Sequence, residues 1–404
     1  MMKAAIMGYG TIGSGVYEVL LKNTETITKR AGEPIEVKYI LDLKEFPGTP
    51  VEQKVVHELS AILEDPEIGM VVETMGGTTP AYEFVKRCLE TGRHVVTSNK
   101  ALVAAHGTEL LEIAADKRVS FLFEASAGGG IPIIRTLYDS LAGEEIREIS
   151  GILNGTTNYI LTKMYEEGWA FDKALKTAQE LGYAEHDPAA DIEGHDTCRK
   201  IAILTAVAAG KEVNFEDIPT EGITGISDLD FSYAARLGVS IKLLGNCKCE
   251  GGEAWMEVAP ALINAKDPLY SVEDVFNGIL VEGNMLGMSM YYGSGAGKLP
   301  TASAVVGDMI AAVLAGRQPK PFGWSRERMT VHAAGELRRR YFARFEGSRE
   351  QKRDDVRETF GQVKWIVLEG QDEFAVLTGE MTEAEFMAAA EKVAGLRQKI
   401  VVRT

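Results

Sequence analysis

The chain opens with a short apolar run, KAAIM (3–7), and passes at once through Gly8, Gly10 and Gly13 into SGVYEVLLKN, whose apolar residues recur at helical spacing. A strand that turns through G-x-G-x-x-G into a helix leaves few folds open. The first glycine permits the tight turn, the second lets a phosphate approach the backbone, and the third lets the helix pack close to the strand. The helix N-terminus then presents its N–H groups to an anion. Such a glycine pattern is weak evidence alone, because glycines gather in many turns. Here IEVKYILD follows as a second strand, so strand, turn, helix and strand coincide. We read a dinucleotide-binding turn, with Gly8, Gly10, Thr11, Ile12 and Gly13 as cofactor contacts.

The alternation continues. MVVETMG, HVVTSNK and VSFLFEASA read as strands, separated by the helical patterns PAYEFVKRCLETG and ALVAAHGTELLEIAADK. That order predicts an α/β fold, a Rossmann-type doubly wound parallel sheet covered on both faces. After the glycines at 128–130 the character changes. IPIIRTLYDSLAG reads as helical, a helical section runs to about Gly210, and AWMEVAPALI and NMLGMSMYYG read as strands, together an α+β domain. Pro300 to Gly316 is a long apolar helix, and Arg317 to Ser325 has the composition of a linker. Beyond it RYFARF, VKWIVLEG, EFAVLTGE and KIVVRT read as strands, with a helix opening at Thr382. The expected domains are therefore 1–131 plus 297–316 for the dinucleotide, 132–296 for catalysis and dimerisation, and a small α+β unit over 326–404.

At 404 residues, two or three domains are expected, and 45% hydrophobic residues supply a sizeable core. Acidic residues outnumber basic ones by 59 to 43, a formal charge of −16, which argues against a nucleic-acid or membrane binder. The basic run LRRRYFARF is then expected to be a solvated sheet face, and the methionines of NMLGMSMYYG to pack within a strand. No uninterrupted apolar stretch is long enough to span a bilayer, and the N-terminus has no signal-peptide pattern, so a cytoplasmic protein is expected. Of Cys88, Cys198, Cys247 and Cys249 only the last two are close, and a single C-x-C is poor evidence for zinc. All four are expected as free thiols.

The second strand ends at Asp42, which could bond a ribose 2′-hydroxyl, although it lies further from the glycines than the usual ~20 residues. Lys44 could instead meet a 2′-phosphate, so NAD and NADP both stay open. The densest cluster of charge falls within Ala178 to Gly210: Glu185, Asp187, Asp191, Glu193, Asp196 and Lys200. Asp196 and Lys200 are spaced i, i+4 and share a helix face. Most such pairs are solvated, but this one opens a helix, IAILTAVAA, that is almost wholly apolar and hence buried. Carboxylates suit an ammonium-bearing substrate, and a lysine can move a proton. His186 and His195 read as surface residues beside that cluster.

The pattern A-x-x-x-G-Y-A-x-x-D-P-x-x-D-I-x-G-x-D-x-x-x-K, from Ala178 to Lys200, resembles the signature of the homoserine dehydrogenase family. Similar matches are GYGTIGSGV, TSNKALVA (97–104), EASAGGGIPII (124–134), GILNGTTNYIL (151–161) and GSGAGKLPTASAVVGD (293–308). The resemblance implies reversible NAD(P)H-dependent reduction of L-aspartate-4-semialdehyde to L-homoserine by a homodimer or homotetramer. It implies Lys200 and Lys100 as the proton-handling pair, with Glu185, Asp191 and Asp196 holding the substrate. Ser98, Lys100 and Gly297 would lie near the cofactor, and carbonyl groups of Glu124, Ala127, Gly129 and Ile131 would hold a monovalent cation such as Na+.

The C-terminal order of strands and helices resembles an ACT domain, which implies an amino-acid effector. The sequence there, EGSREQKRDD, lacks the usual Asp-x-x-Gly turn, so the unit reads as one that pairs subunits without binding threonine, with effector regulation as the alternative. Other two-domain NAD(P) reductases should lack the Ala178–Lys200 pattern, and aspartate-semialdehyde dehydrogenase needs a nucleophilic cysteine that neither Cys88 nor Cys198 suits. A non-catalytic NAD(P)-sensing regulator would have no use for Lys100, Asp196 and Lys200 together. With no kinase-like segment upstream, the stand-alone form is expected.

Overall fold

A computed structural model describes residues 1–319 and 321–403. The chain forms two compact units, one of Met1–Glu144, Ala202–Asn214 and Gly293–Met329, the other of Glu145–Ile201, Phe215–Tyr292 and Thr330–Thr404.

The first unit is built on a parallel sheet of β1 (Met2–Met7), β2 (Ile35–Leu41), β3 (Val55–Val56), β4 (Ile68–Glu73), β5 (His94–Thr97) and β6 (Phe121–Leu122). Their order is β3-β2-β1-β4-β5-β6, so the winding direction reverses between β1 and β4. A crevice opens at such a reversal beyond the carboxyl ends of the strands, and ligands bind there. Ala4, Ile6, Met70, Val72 and Val96 are buried, as expected of parallel strands covered on both faces. Helix Lys298–Ala315 is long and apolar enough to cross a membrane by length and composition. It is a core helix, however, since Ala302, Val305, Met309 and Ala312 join the apolar cluster of Ala4 and Ile6.

Three expectations for this unit need correction. VSFLFEASA is a strand only at Phe121–Leu122, because the chain turns at Glu124 into the short helix Ala125–Gly128. IPIIRTLYDSLAG is helical only from Ile134 to Ser140, the last five of these residues forming a π-helical turn, Thr136–Ser140. In the 317–325 stretch, of which Lys320 lies outside the described residues, the two aromatic residues are packed rather than solvated. Phe322 packs edge-on against Phe123, and the Trp324 indole N–H donates to Thr108 Oγ1 at 2.9 Å.

The second unit has one mixed sheet of ten strands: β7 (Ile146–Ile152), β8 (Val239–Glu250), β9 (Glu253–Asn264), β10 (Phe276–Gly283), β11 (Gly287–Ser294), β12 (Thr330–Ala333), β13 (Arg340–Glu346), β14 (Lys364–Val367), β15 (Glu373–Leu377) and β16 (Leu396–Val402). The order is β11-β10-β7-β8-β9-β16-β13-β15-β14, with β12 also against β9. From β13 onward the chain runs strand, helix, strand, strand, helix, strand, with its own aromatic core of Tyr341, Phe345, Phe360, Phe374 and Phe386. This segment shares its sheet with the residues before it, since β16 pairs in parallel with β9 through Ala261↔Val401 and Leu262↔Val402. Two arginines of the basic run are likewise not solvated, while Arg338 is exposed as expected. Arg339 pairs with Glu257, and Arg344 reaches Asp230 at 2.9 Å and Glu373 at 2.7 Å, with both guanidiniums largely buried. Nor do the methionines of β11 pack inward: Met288 is 57% and Met290 37% exposed.

Lys242 on β8 is buried, and its ammonium donates to the Val272 carbonyl at 2.6 Å and to Asn158 Oδ1 at 3.3 Å. Burial pulls its pKa from the ordinary 10.5 down to about 8, against the opposing pull of Glu273, Glu166 and Asp274. Below that lower value both folded and unfolded chains carry the proton and the desolvation cost is felt in full. Between the two values only the unfolded chain holds it, so this group's contribution to stability rises with pH across that window. Lys242→Met should remove the effect. Denaturant midpoints measured across the window should show the parent gaining on the variant as pH rises; a constant difference would mean Lys242 keeps its charge in the fold.

Candidate functional site

In the first unit the glycine turn is built as its spacing demands. Gly8 has φ 91° and lies against the backbone of Met75 at the end of β4, where a side chain would be strained. A Cβ on Gly13 would fall 2.0 Å from the Gly8 carbonyl oxygen, so helix Thr11–Lys22 can start this close to β1 only with glycine there. A Cβ on Gly10 would meet nothing within 4 Å, which leaves open space over the second glycine. Thr11 and Ile12 form the first turn of the helix, which has no capping side chain at Gly10 and no acid in that turn. This arrangement fits a pyrophosphate on backbone N–H groups.

The carboxylate of Asp42 is drawn into the same turn. It accepts from the N–H of Tyr9 at 2.7 Å and from that of Lys44 at 3.0 Å, and the Lys44 side chain is exposed. Ser98 is half-buried just past β5, its N–H donating to the Glu73 carbonyl at 3.4 Å. Lys100 is the first residue of helix Lys100–Lys117, capped by Asn99. Sequence reasoning passed over Glu73. It is fully buried at the end of β4, accepting from Thr97 Oγ1 at 2.5 Å and Met75 N at 2.7 Å, and burial raises its pKa. The only signal for it is an acid interrupting an apolar strand.

The 124–135 loop is knotted around one carboxylate. Glu124 accepts from the N–H groups of Ile133, Ile134 and Arg135 at 2.8–2.9 Å and from Arg135 Nε at 3.1 Å. Its own N–H donates to Asp308 of helix Lys298–Ala315 at 2.8 Å. Burial, then the nearby Glu124 charge, push the Asp308 pKa up to about 7. The Glu124 carboxylate is thus spent within the loop, and a cation there would have to be met by carbonyl oxygens. Those of Gly129 and Ile131 accept no hydrogen bond among the described residues. Gly129 packs against Gly295, and Gly130 N donates to the Ser294 carbonyl at 3.0 Å, so this loop touches the G-S-G-A-G segment that ends at Gly297.

In the second unit the charge cluster condenses around Lys200. Asp196 and Lys200 lie one turn apart at the start of helix His195–Ala209, 3% and 7% exposed. Lys200 Nζ sits 2.8 Å from Asp196 Oδ2 and donates to the Leu153 carbonyl at 2.7 Å. A further residue, unnamed by sequence reasoning, ties the group together. The side-chain amide of Asn154 donates to Asp191 at 2.8 Å and to Asp196 at 2.9 Å. Its oxygen caps helix Gly155–Glu167 by accepting from Thr157 N at 2.8 Å. One asparagine therefore fixes two carboxylates and a helix start; its signal is an N-cap residue ahead of GTTNYI. Glu185 is not brought in, because it lies exposed on the 181–187 turn, where Gln179 holds its carbonyl. His186 and His195 are exposed as expected.

Comparison with known proteins agrees with this geometry. Residues 8–124 match the family model "Homoserine dehydrogenase, NAD binding domain", and residues 132–310 match "Homoserine dehydrogenase". A homoserine dehydrogenase from Synechocystis is 46% identical over 77% of this chain and 73% of its own, and one from Bacillus subtilis is 38% identical over the same shares. The crystal structure of a homoserine dehydrogenase from Thiobacillus denitrificans superposes with a TM-score of 0.92 at 34% identity, covering 100% of this chain and 98% of that one. With the glycine turn and the Asp196–Lys200 pair both inside the matched residues, the chain belongs to the homoserine dehydrogenase family.

Proposed function

We propose that this chain catalyses the reversible NAD(P)H-dependent reduction of L-aspartate-4-semialdehyde to L-homoserine, a cytoplasmic step toward threonine, methionine and isoleucine. The observation that carries the chemistry is the buried ammonium of Lys200, oriented by Asp196 and the Leu153 carbonyl. Reducing an aldehyde places negative charge on its oxygen. A lysine ammonium stabilises that charge and gives up a proton to it. Lys200 is assigned this role, Lys100 that of the second proton-handling lysine, and Asp191 and Asp196 that of receiving the substrate's ammonium. In the reverse direction Lys200 must accept a proton, so homoserine oxidation speeds up with rising pH.

The turn of Gly8, Gly10 and Gly13, with Thr11 and Ile12, would hold the dinucleotide, Asp42 and Lys44 would meet its ribose, and Ser98, Lys100 and Gly297 would flank its reactive end. When bound, the nicotinamide supplies the hydride. Carbonyl groups of Glu124, Ala127, Gly129 and Ile131 are proposed to hold a monovalent cation, which suits the two carbonyls that accept no hydrogen bond. The segment from β13 onward is proposed as an ACT-like element that pairs subunits rather than reading an effector. Ser348 already accepts from Gln351 N at 3.3 Å in the first turn of its helix, where a ligand would meet backbone.

Absorbance at the reduced nicotinamide band tests the reaction directly. Turnover is expected with homoserine at alkaline pH and with the semialdehyde at neutral pH; none with either cofactor on folded protein would refute it. Lys200→Ala should lower kcat by roughly 10²–10⁴-fold, the usual loss for an acid or base. Asn154→Ser keeps a helix cap but removes the amide. A hydrogen bond to a charged group is worth about 1.5–3 kcal/mol to the fold, so the thermal midpoint should drop, and kcat/KM should fall about 10- to 100-fold as the two carboxylates lose their placement, each ~1.4 kcal/mol being tenfold. Equal turnover in this variant would reduce Asn154 to a cap.

A homo-oligomer is proposed to form through the end of the second sheet. Met288, Met290 and Tyr292 project from its terminal strand β11, and Phe276 stacks on Tyr292 at 5.2 Å, leaving a contiguous apolar surface. Light scattering on a Met288→Glu, Met290→Glu double variant should give a smaller species than the parent. A parent that already runs as a monomer would end this reading.

A further inference from the structure

Cys247 and Cys249 are the one motif that the reading above leaves unused. They lie two residues apart on β8, whose pairing with β9 runs without a bulge from Val239 to Glu250, so both thiols leave the same face of the strand. Their sulfur atoms stand 3.5 Å apart. Cys247 is fully buried and Cys249 half-buried, so one thiol is shielded and its neighbour can be reached. The contact with Cys247 draws the Cys249 pKa below the ordinary thiol value, favouring the thiolate that attacks in exchange reactions. The other two cysteines differ on each count. Cys88 is fully buried, with its pKa pushed up to about 12, and the Cys198 thiol donates to the Phe215 carbonyl at 3.2 Å.

We propose that Cys247 and Cys249 form a redox-active dithiol that closes reversibly to a disulfide within one strand when it meets a small-molecule disulfide. The Cys249 thiolate attacks one sulfur of R–S–S–R, which breaks the reagent's S–S bond and releases one R–S⁻. Cys247 then gives up its proton and attacks the Cys249 sulfur of the mixed disulfide, releasing the second R–S⁻. The two cysteines lose two electrons and two protons, and the reagent leaves as two R–SH. Two residues of extended strand span about 6.6 Å, close to the upper end of the ~4.4–6.8 Å that a disulfide bridges between Cα atoms. Closure therefore pulls the strand in, and strained disulfides of this kind are the ones readily reduced again.

The same face of β8 carries Gly245. A Cβ built on it would lie 3.0 Å from Thr197 and 3.2 Å from Ile201, three residues before and one after Lys200 along its helix. Contraction two residues away presses on that contact, so closure should lower turnover. This link rests on the assignment of Lys200 above; the disulfide itself does not.

The test uses the full reduced chain incubated with glutathione disulfide, alkylated under denaturing conditions and digested with trypsin. Lys248 lies between the two cysteines, so cleavage after it leaves LLGNCK and the peptide beginning at Cys249 joined only by the disulfide. The expected result is this joined pair, released by dithiothreitol and absent from Cys247→Ser and Cys249→Ser, with Cys88 and Cys198 recovered alkylated. Turnover should fall several-fold, return with dithiothreitol, and stay unaffected by the reagent in Cys249→Ser. A lasting glutathione adduct on Cys249, or no loss of either thiol, overturns the disulfide. A joined pair with full turnover overturns its coupling to Lys200.

Discussion

A lysine ammonium buried to 7% exposure has to be answered by fixed oxygen atoms, and the second unit around it is arranged to supply them. Asp196 comes from one turn earlier on the same helix, and Leu153 offers its carbonyl from the end of β7. Removing one partner of a buried pair costs about 3–5 kcal/mol, because the other charge is stranded. The penalty makes the arrangement an all-or-nothing one. It also accounts for Asn154, since two carboxylates as close as Asp191 and Asp196 repel unless a donor lies between them. The amide of Asn154 is that donor, and its oxygen is committed to the Thr157 N–H, so it cannot swing away.

The first unit solves a different problem with backbone rather than charge. Its open space over Gly10 exists because Gly8 turns with a positive φ and Gly13 lets the helix begin against β1. Thr74 reinforces the turn by donating to the Gly8 carbonyl at 2.7 Å, and Glu73 gathers the N–H groups that follow. Glu124 plays the corresponding part in its own loop, where one carboxylate organises four donors. In both places a buried acid shapes the backbone by gathering its N–H groups. An apolar residue there would let the loop relax.

The parallel sheet and the glycine turn could be read from the chain because period and punctuation are local properties: continuous apolar strands, a helical apolar spacing, and glycines at fixed offsets. The Asp196–Lys200 pair was equally readable, since an i, i+4 pair at the head of an almost wholly apolar helix is placed where burial is expected. Asn154 and Glu73 were not, because their importance comes from partners 37 and 24 positions away. The errors share that cause. Arg339 and Arg344 of LRRRYFARF looked solvated until Glu257 and Glu373 arrived from other strands and Asp230 from a helix, and Phe322 and Trp324 looked like linker residues until Phe123 and Thr108 gave them something to pack on.

The joining of the C-terminal segment to the sheet of the second unit depends on two of the same arginines, Arg339 and Arg344, and on Arg403. The β9–β16 pair is only two residues long, Ala261↔Val401 and Leu262↔Val402, too little to hold a segment of this size by backbone bonds alone. The side-chain bonds bracket it. Arg339 reaches Glu257 on β9, Arg403 reaches Glu148 on β7 at 3.1 Å and Asp267 beyond β9 at 2.7 Å, and Arg344 reaches Asp230 on a helix packed beside β8. Each pair crosses from the C-terminal segment to the rest of the second unit, and each is largely withdrawn from water, where Coulomb attraction is least screened. A short ladder framed by such pairs resists sliding more than a long apolar edge would, since a slip of one residue would separate several charges at once.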